Sequence, residues 1–125
     1  MWVLQCKQKK GTTFVGLNAG FNALLRPALY QAYHELANLT RDGPPRDVTI
    51  CGPICESGDV FGRSGGLSLH GRLGAGSNAR VDRARPLPAS TQVGDVVVID
   101  CCGAYGRSMA STYNLRQVPE ERVLD

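Results

Sequence analysis

Apolar residues along this chain fall into short runs broken by Gly- and Pro-containing turns, with little sustained helical period. Residues 2–6 (WVLQC) and 13–17 (TFVGL) are β-prone runs on either side of the polar stretch 7–12, which predicts a hairpin. Ala19-Gly20 closes the second run. In Leu24-Leu25-Arg26-Pro27-Ala28-Leu29-Tyr30, Pro27 suits the first turn of a short helix. Between residues 31 and 39, Tyr33, Glu35 and Ala37 alternate with Ala32, His34 and Leu36, a period of two that predicts a strand. Residues 40–45 (TRDGPP) read as a surface loop and 48–51 (VTIC) as a short buried strand. Asp59-Val60-Phe61 resembles the start of another strand. DVVVIDC at 95–101, after the Val93-Gly94 turn, gives the clearest strand pattern; 108–113 and 122–124 are candidates for final pieces. Residues 65–85 (GGLSLHGRLGAGSNARVDRAR) are rich in Gly and Arg and show no period, so they are expected to form a flexible surface insertion.

With 125 residues there is room for a single domain with a modest core, and 42% hydrophobic residues exclude a disordered tail. Fifteen glycines and seven prolines favour a β-rich domain with many turns over a helix bundle. A net charge of +3, scattered and without interleaved aromatics, argues against nucleic acid as a partner. A bound phosphate or carboxylate stays compatible. No run reaches the length of a membrane span, and the charges of MWVLQCKQKK follow its apolar residues, the reverse of a signal peptide. A cytoplasmic location is therefore expected. The five cysteines (Cys6, Cys51, Cys55, Cys101 and Cys102) would be reduced thiols there. Their spacing, with His34 and His70 unclustered, does not make a zinc site, and no metal is expected. In a strand, adjacent Cys101 and Cys102 would place one side chain in the core and the other on the opposite face.

Three local features carry candidate chemistry. Gly52-Pro53-Ile54-Cys55-Glu56-Ser57-Gly58-Asp59 puts a thiol beside a carboxylate on a tight loop after a buried strand. An ordinary thiol, with a pKa of about 8.5, holds its proton near neutral pH and can act as a general acid. The same spacing also suits a buried cysteine with an acidic turn residue. Arg26 and Tyr30, four apart, face the same way on a helical turn, where a guanidinium fork and a phenol could grip a carboxylate. A surface Arg beside a packed Tyr has the same pattern. Gly103-Ala104-Tyr105-Gly106 follows the DVVVIDC run and would let a ligand approach both ring and backbone, although a tyrosine at a strand end is more often core.

Taken in order, FVGLNAGFNALLRPALYQAYHEL, GPICESGD and VGDVVVIDCCGAYGRSMASTYNLR resemble the C-terminal part of the diaminopimelate decarboxylases. These belong to the fold-type III, pyridoxal-phosphate-dependent decarboxylases, together with ornithine and arginine decarboxylases. The resemblance covers nearly the whole chain except 65–85. It implies a mainly β fold: a C-terminal β-barrel or sandwich domain with one or two short helices, in which Arg63-Ser64 would join directly to Arg85-Pro86-Leu87-Pro88. Arg26 and Tyr30 are similar to the residues that bind the substrate's distal carboxylate. Cys55 resembles the proton donor to the carbon that loses carbon dioxide, Glu56 the acceptor for the distal ammonium, and Tyr105 a residue touching cofactor and substrate. Ornithine-type relatives carry Asp after the cysteine, so Glu56 together with Arg26 favours a diaminopimelate-like substrate.

The family's cofactor is pyridoxal 5′-phosphate, held through a lysine of an N-terminal barrel. Lys7, Lys9 and Lys10 match no part of that barrel, so the domain is expected to work with a barrel in cis or in trans and to be inactive alone. The resemblance also implies a homodimer in which Cys55 and Glu56 reach the partner's site, and a monomer with unusually exposed apolar surface. A related decarboxylase acting on an ornithine-like or siderophore or antibiotic intermediate, and a non-catalytic module docking on an intact decarboxylase, are the competing readings.

Overall fold

A computed structural model describes residues 1–61 and 84–123 of the chain. Its first elements are the predicted hairpin: β1 (Val3–Lys9) pairs antiparallel with β2 (Thr12–Leu17), in a register running from Val3 opposite Leu17 to Lys9 opposite Thr12. Lys10 and Gly11 turn the chain with positive φ, 49° and 80°. The short helix α1 (Arg26–Tyr30) carries Pro27 in its first turn, where the missing N–H is not needed. Gln31, at φ 57°, ends it.

Beyond α1 the predicted alternation holds in the side chains, with His34 and Leu36 buried and Tyr33, Glu35 and Ala37 exposed. Ladder pairing is limited to β3 (Leu36–Asn38), which lies antiparallel to β6 (Val97–Ile99). Strand β4 (Pro45–Cys51) pairs parallel with β2 and antiparallel with β5 (Ala84–Pro88). The larger sheet thus runs β1-β2-β4-β5, and β3-β6 forms a second one. At one side the sheets meet through a Trp2–Val96 bridge and hydrogen bonds from Val3 N to Asp95 O (2.8 Å) and Val97 N to Met1 O (2.8 Å). At the other, β5 lies beside β3 and the Arg85 guanidinium donates to the His34 carbonyl. Pairing is not continuous at this second seam. The architecture is therefore two facing sheets, not a closed barrel.

Between them sits the core: Val3, Val15, Leu17, Leu24, Leu36, Val48, Ile50, Phe61, Leu87 and Val97. A fully buried aliphatic side chain of this kind contributes roughly 1.5–3 kcal/mol over an exposed one. Among the described residues the most buried charged group is Asp95, 1% exposed, whose carboxylate knots β3 and the residue stretch after it to the turn before β6. Its carboxylate accepts from Asn38 Nδ2 (2.9 Å) on β3, from Arg41 Nε (2.9 Å) and from Gln92 N (3.0 Å). Burial would raise its pKa, but the bonds from Asn38, Gln92 and Arg41 and the Arg41 charge outweigh burial and lower it.

Several expectations need correction. The 95–101 run contributes only three ladder residues, because Cys101, at φ 55°, turns out of extended backbone. Cys102 still packs against the core and Cys101 is exposed, as a pair on opposite sides would be. Asp59-Val60-Phe61 makes one bridge, Cys51 to Val60, and the residues that would extend it into a strand lie outside the described ones. Residues 108–113 form no strand; the segment leads into a single 3-10 turn, Tyr113–Leu115, in which Asn114 and Leu115 have positive φ and cannot join a ladder. At 122–124, Arg122 and Val123 are irregular and Leu124 lies outside the described residues. Most of the proposed 65–85 insertion also lies outside them, but its last two residues, Ala84 and Arg85, open β5. That strand was missed because Arg85-Pro86-Leu87-Pro88 carries two prolines. An edge strand tolerates them, since the missing N–H groups leave no ladder partner unsatisfied on the open side.

Candidate active site

The helix α1 exists to the extent that Pro27 presets its first turn and buried Leu24 and Pro27 seat it on the core. One turn places Arg26 and Tyr30 on the same side, with the guanidinium carbon 5.8 Å from the Tyr30 ring centroid. Tyr105 arrives from the turn after β6 and brings its ring centroid to 5.2 Å from the same guanidinium. Arg26 thus lies over two phenol rings, each contact worth roughly 0.5–1 kcal/mol where exposed. Ion pairs among the described residues are Arg41–Asp95 and Arg122–Glu120, so Arg26 has no carboxylate partner there. A planar cation with its donors unpaired has a fork whose geometry can accept a carboxylate.

Tyr105 itself sits at φ 64°, a left-handed conformation costing roughly 1–2 kcal/mol for a residue with a Cβ. Its carbonyl accepts from Met109 N (3.2 Å), which helps hold the turn. The ring is exposed, and the space beside Gly103 is open, with no atom within 4 Å of where a Cβ would stand. An aromatic face with adjoining free volume fits the approach of a flat heteroaromatic ring.

Cys55 and Glu56 occupy the loop that leaves β4, and both are exposed. Cys55 makes no hydrogen bond among the described residues. The Glu56 carboxylate accepts only from its neighbour, Ser57 N at 2.9 Å and Ser57 Oγ at 3.4 Å. Next to them an open cleft of about 480 Å³ is lined by Glu56, Ile54, Asp59, Cys51, Phe14 and Thr49. Burial, and then the Asp59 charge, push the Cys51 thiol up, which marks it as a packing residue.

Within the loop, Asp59 is a residue to which sequence reasoning gave no role. It is 3% exposed, and its two oxygens accept from Phe21 N and Ile54 N, each at 2.7 Å. Burial pushes its carboxyl up, partly offset by those two amide bonds and the charge of Arg116. The glycines around it, Gly20 and Gly52, were the available signal, but they are meaningful only once the fold brings them together.

The five predicted residues therefore form two groups. Arg26, Tyr30 and Tyr105 converge; Cys55 and Glu56 stand together elsewhere, with no hydrogen bond or ring contact to the first three. A wider, largely apolar groove of about 770 Å³ borders Gly103 and Gly106 but is lined by none of the five. No helix among the described residues is long and apolar enough to cross a membrane, and no metal-holding cluster occurs among them.

Comparison with known proteins places these features in context. A family model described as "Pyridoxal-dependent decarboxylase, C-terminal sheet domain" matches residues 1–103. The diaminopimelate decarboxylase of Bacteroides thetaiotaomicron is 40% identical over 98% of this chain and 26% of its own length. That of Streptomyces coelicolor is 42% identical over 90% of this chain and 23% of its own. The crystal structure of diaminopimelate decarboxylase from M. jannaschii in co-complex with L-lysine superposes with a TM-score of 0.74 at 36% identity. That match covers 94% of this chain and 22% of the other. The chain spans about a quarter of the length of the curated relatives it matches.

Proposed function

This chain belongs to the pyridoxal-dependent decarboxylases, as their C-terminal sheet domain, and on that premise we propose that it supplies the substrate-gripping and proton-donating side of a diaminopimelate decarboxylase. The reaction would convert meso-2,6-diaminopimelate to L-lysine and carbon dioxide. The observation that carries this reading is Arg26, in cation–ring contact with both Tyr30 and Tyr105 and with its donors unpaired by any described carboxylate.

Arg26 would take the distal carboxylate in its guanidinium fork, with the Tyr30 hydroxyl adding a third hydrogen bond. Glu56, whose carboxylate bonds only to its own turn, would accept the distal ammonium. A far end bearing both charges needs both groups. Pyridoxal 5′-phosphate, when bound, supplies the sink for the electron pair released as the carboxylate leaves. Tyr105 would hold that ring's edge and exclude water from one side. Cys55 would deliver the Sγ proton to the carbon that lost carbon dioxide, forming the new C–H bond, and the thiolate would regain a proton from solvent.

All three lysines of the chain lie on β1 and the turn after it. The covalent link to the cofactor is therefore assigned to a barrel acting in cis or in trans, and these 125 residues alone would be inactive. Two exposed groups without mutual contact support a homodimer in which Cys55 and Glu56 of one subunit complete the Arg26–Tyr105 site of the other. Five free thiols fit a reducing, cytoplasmic setting.

The test is Cys55→Ala in the holoenzyme carrying this domain. Turnover should fall on the order of a hundredfold or more with the cofactor still bound. Wild-type kcat would remove the thiol from the mechanism.

A further inference from the structure

The loop bearing Cys55 and Glu56 is fastened to the segment leading to Arg26 of the same chain by a residue that touches neither substrate nor cofactor in the proposed reaction. Asp59 ends the loop bearing Cys55 and Glu56, and its side chain folds back into the loop's interior. One oxygen takes the amide of Ile54, immediately before Cys55; the other takes the amide of Phe21, in the segment that leads into α1 and Arg26. Backbone bonds complete the closure: Glu56 N donates to Ile54 O (2.8 Å), Asp59 N to Glu56 O (3.1 Å) and Gly52 N to Asp59 O (3.1 Å).

The cradle is built to fit a carboxylate. A Cβ on Gly20 would lie 2.6 Å from Asp59 Oδ1, and one on Gly52 would lie 2.6 Å from the same oxygen. Neither contact is one that real Cβ atoms make, so both positions must be glycine for the carboxylate to enter. On its far side the Phe21 segment is anchored to the C-terminal stretch. Phe21 packs edge-on against Tyr113 at 5.1 Å, and Ser111 N donates to Asn22 O (2.8 Å). A buried carboxylate without a direct ion pair is a costly feature to keep, and its two short amide bonds are what offset that cost.

We propose that Asp59 is a positioning residue, which sets the direction of the Cys55 thiol and the Glu56 carboxylate by locking their loop onto the backbone that leads to Arg26. This rests on the functional reading for its consequence in turnover, but not for its geometry. Asn at 59 would keep the shape yet turn one acceptor into a donor facing an amide. Glu would keep the charge but carries a methylene the two glycines leave no room for. Neither substitution should therefore rescue function, whereas a role in charge alone would survive Asp59→Glu.

The experiment uses the holoenzyme and three readouts. First, Asp59→Asn should lower kcat on the order of tenfold or more, but cost kcat less than about twofold when added to Cys55→Ala, since its effect on kcat runs through the thiol while its effect through Glu56 is read in KM. Equal losses in both backgrounds would overturn the proposal. Second, the rate of Cys55 alkylation by iodoacetamide, followed by peptide mass spectrometry, should change at least about threefold in Asp59→Asn, with Cys6 as unchanged control. An unchanged Cys55 rate overturns the clamp whatever the chemistry, while a changed rate together with wild-type kcat in Cys55→Ala would leave the clamp and defeat the functional reading. Third, should Asp59→Asn fail to fold, the unsubstituted holoenzyme decides: the Ile54 and Phe21 amides should exchange hydrogen at least about tenfold more slowly than the Cys55 amide. Equal rates overturn it.

Discussion

At the scale of single residues, the decisive distinction is between groups that are exposed and unpaired and groups that are buried and satisfied. Arg26, half-buried but unpaired, lies nearer the first kind, over two rings with its fork available. Arg26→Lys in the holoenzyme should raise KM on the order of tenfold with little change in kcat, because an ammonium keeps the charge but loses the bidentate grip and the stacking. A steady-state comparison checks it; an unchanged KM would take the distal carboxylate away from this residue. The Arg26–Tyr30 pair was legible because the two sit one helical turn apart in a local motif, whereas their meeting with Tyr105 needed the fold. Asp59 was not legible. Its partners Gly20 and Phe21 lie nearly forty positions away, and nothing local in a Gly-Asp pair says that the carboxylate turns inward.

At the scale of elements, hairpin, short helix and β4 were readable because their signals are local: a polar turn between β-prone runs, a proline at a helix start, an apolar run after a loop. The errors came where tertiary context decides. A Val-rich run stopped pairing after three residues because the chain turns at Cys101, and a proline-bearing strand formed because it lies at a sheet edge. The knot of β3 to the turn before β6 rests on the Asp95 carboxylate, and this gives a pH dependence whose sign can be worked out. Its folded pKa lies below the unfolded value, about 3.9. The stability it contributes is therefore present above that value and is lost as pH falls through the folded pKa. Acid titration of the domain should show a stability loss beginning below about pH 4, and this step should be missing in Asp95→Asn. That variant should be less stable near neutral pH by roughly 2–4 kcal/mol in denaturant melts, having broken a buried charged network at one end. Equal melts would mean that the knot contributes nothing net.

At the scale of the whole molecule, the separation of the two residue groups is the property with most consequence for assembly. If each site combines Arg26 and Tyr105 of one subunit with Cys55 and Glu56 of the other, two crippled enzymes can repair each other. Mixing Arg26→Ala and Cys55→Ala holoenzymes under conditions of subunit exchange should restore up to about a quarter of wild-type activity, since half the dimers are hybrids and one of their two sites is intact. No recovery, with hybrids shown to form by mass spectrometry, would place both groups in one subunit's site. Trp2, Leu4 and Leu39 are exposed apolar side chains available to such contacts. How subunits and a barrel would meet is an expectation from resemblance alone, since single-chain patterns carry no record of a partner's surface.

The antiparallel pairing of β4 with β5 fixes both ends of the connection that begins with the Cys55 loop and returns at Ala84. For a chain segment whose ends are already pinned, each doubling of its length adds only about 0.6 kcal/mol of closure entropy. Length can therefore drift at this place over evolutionary time while the strand register, and everything hung from it, stays as it was.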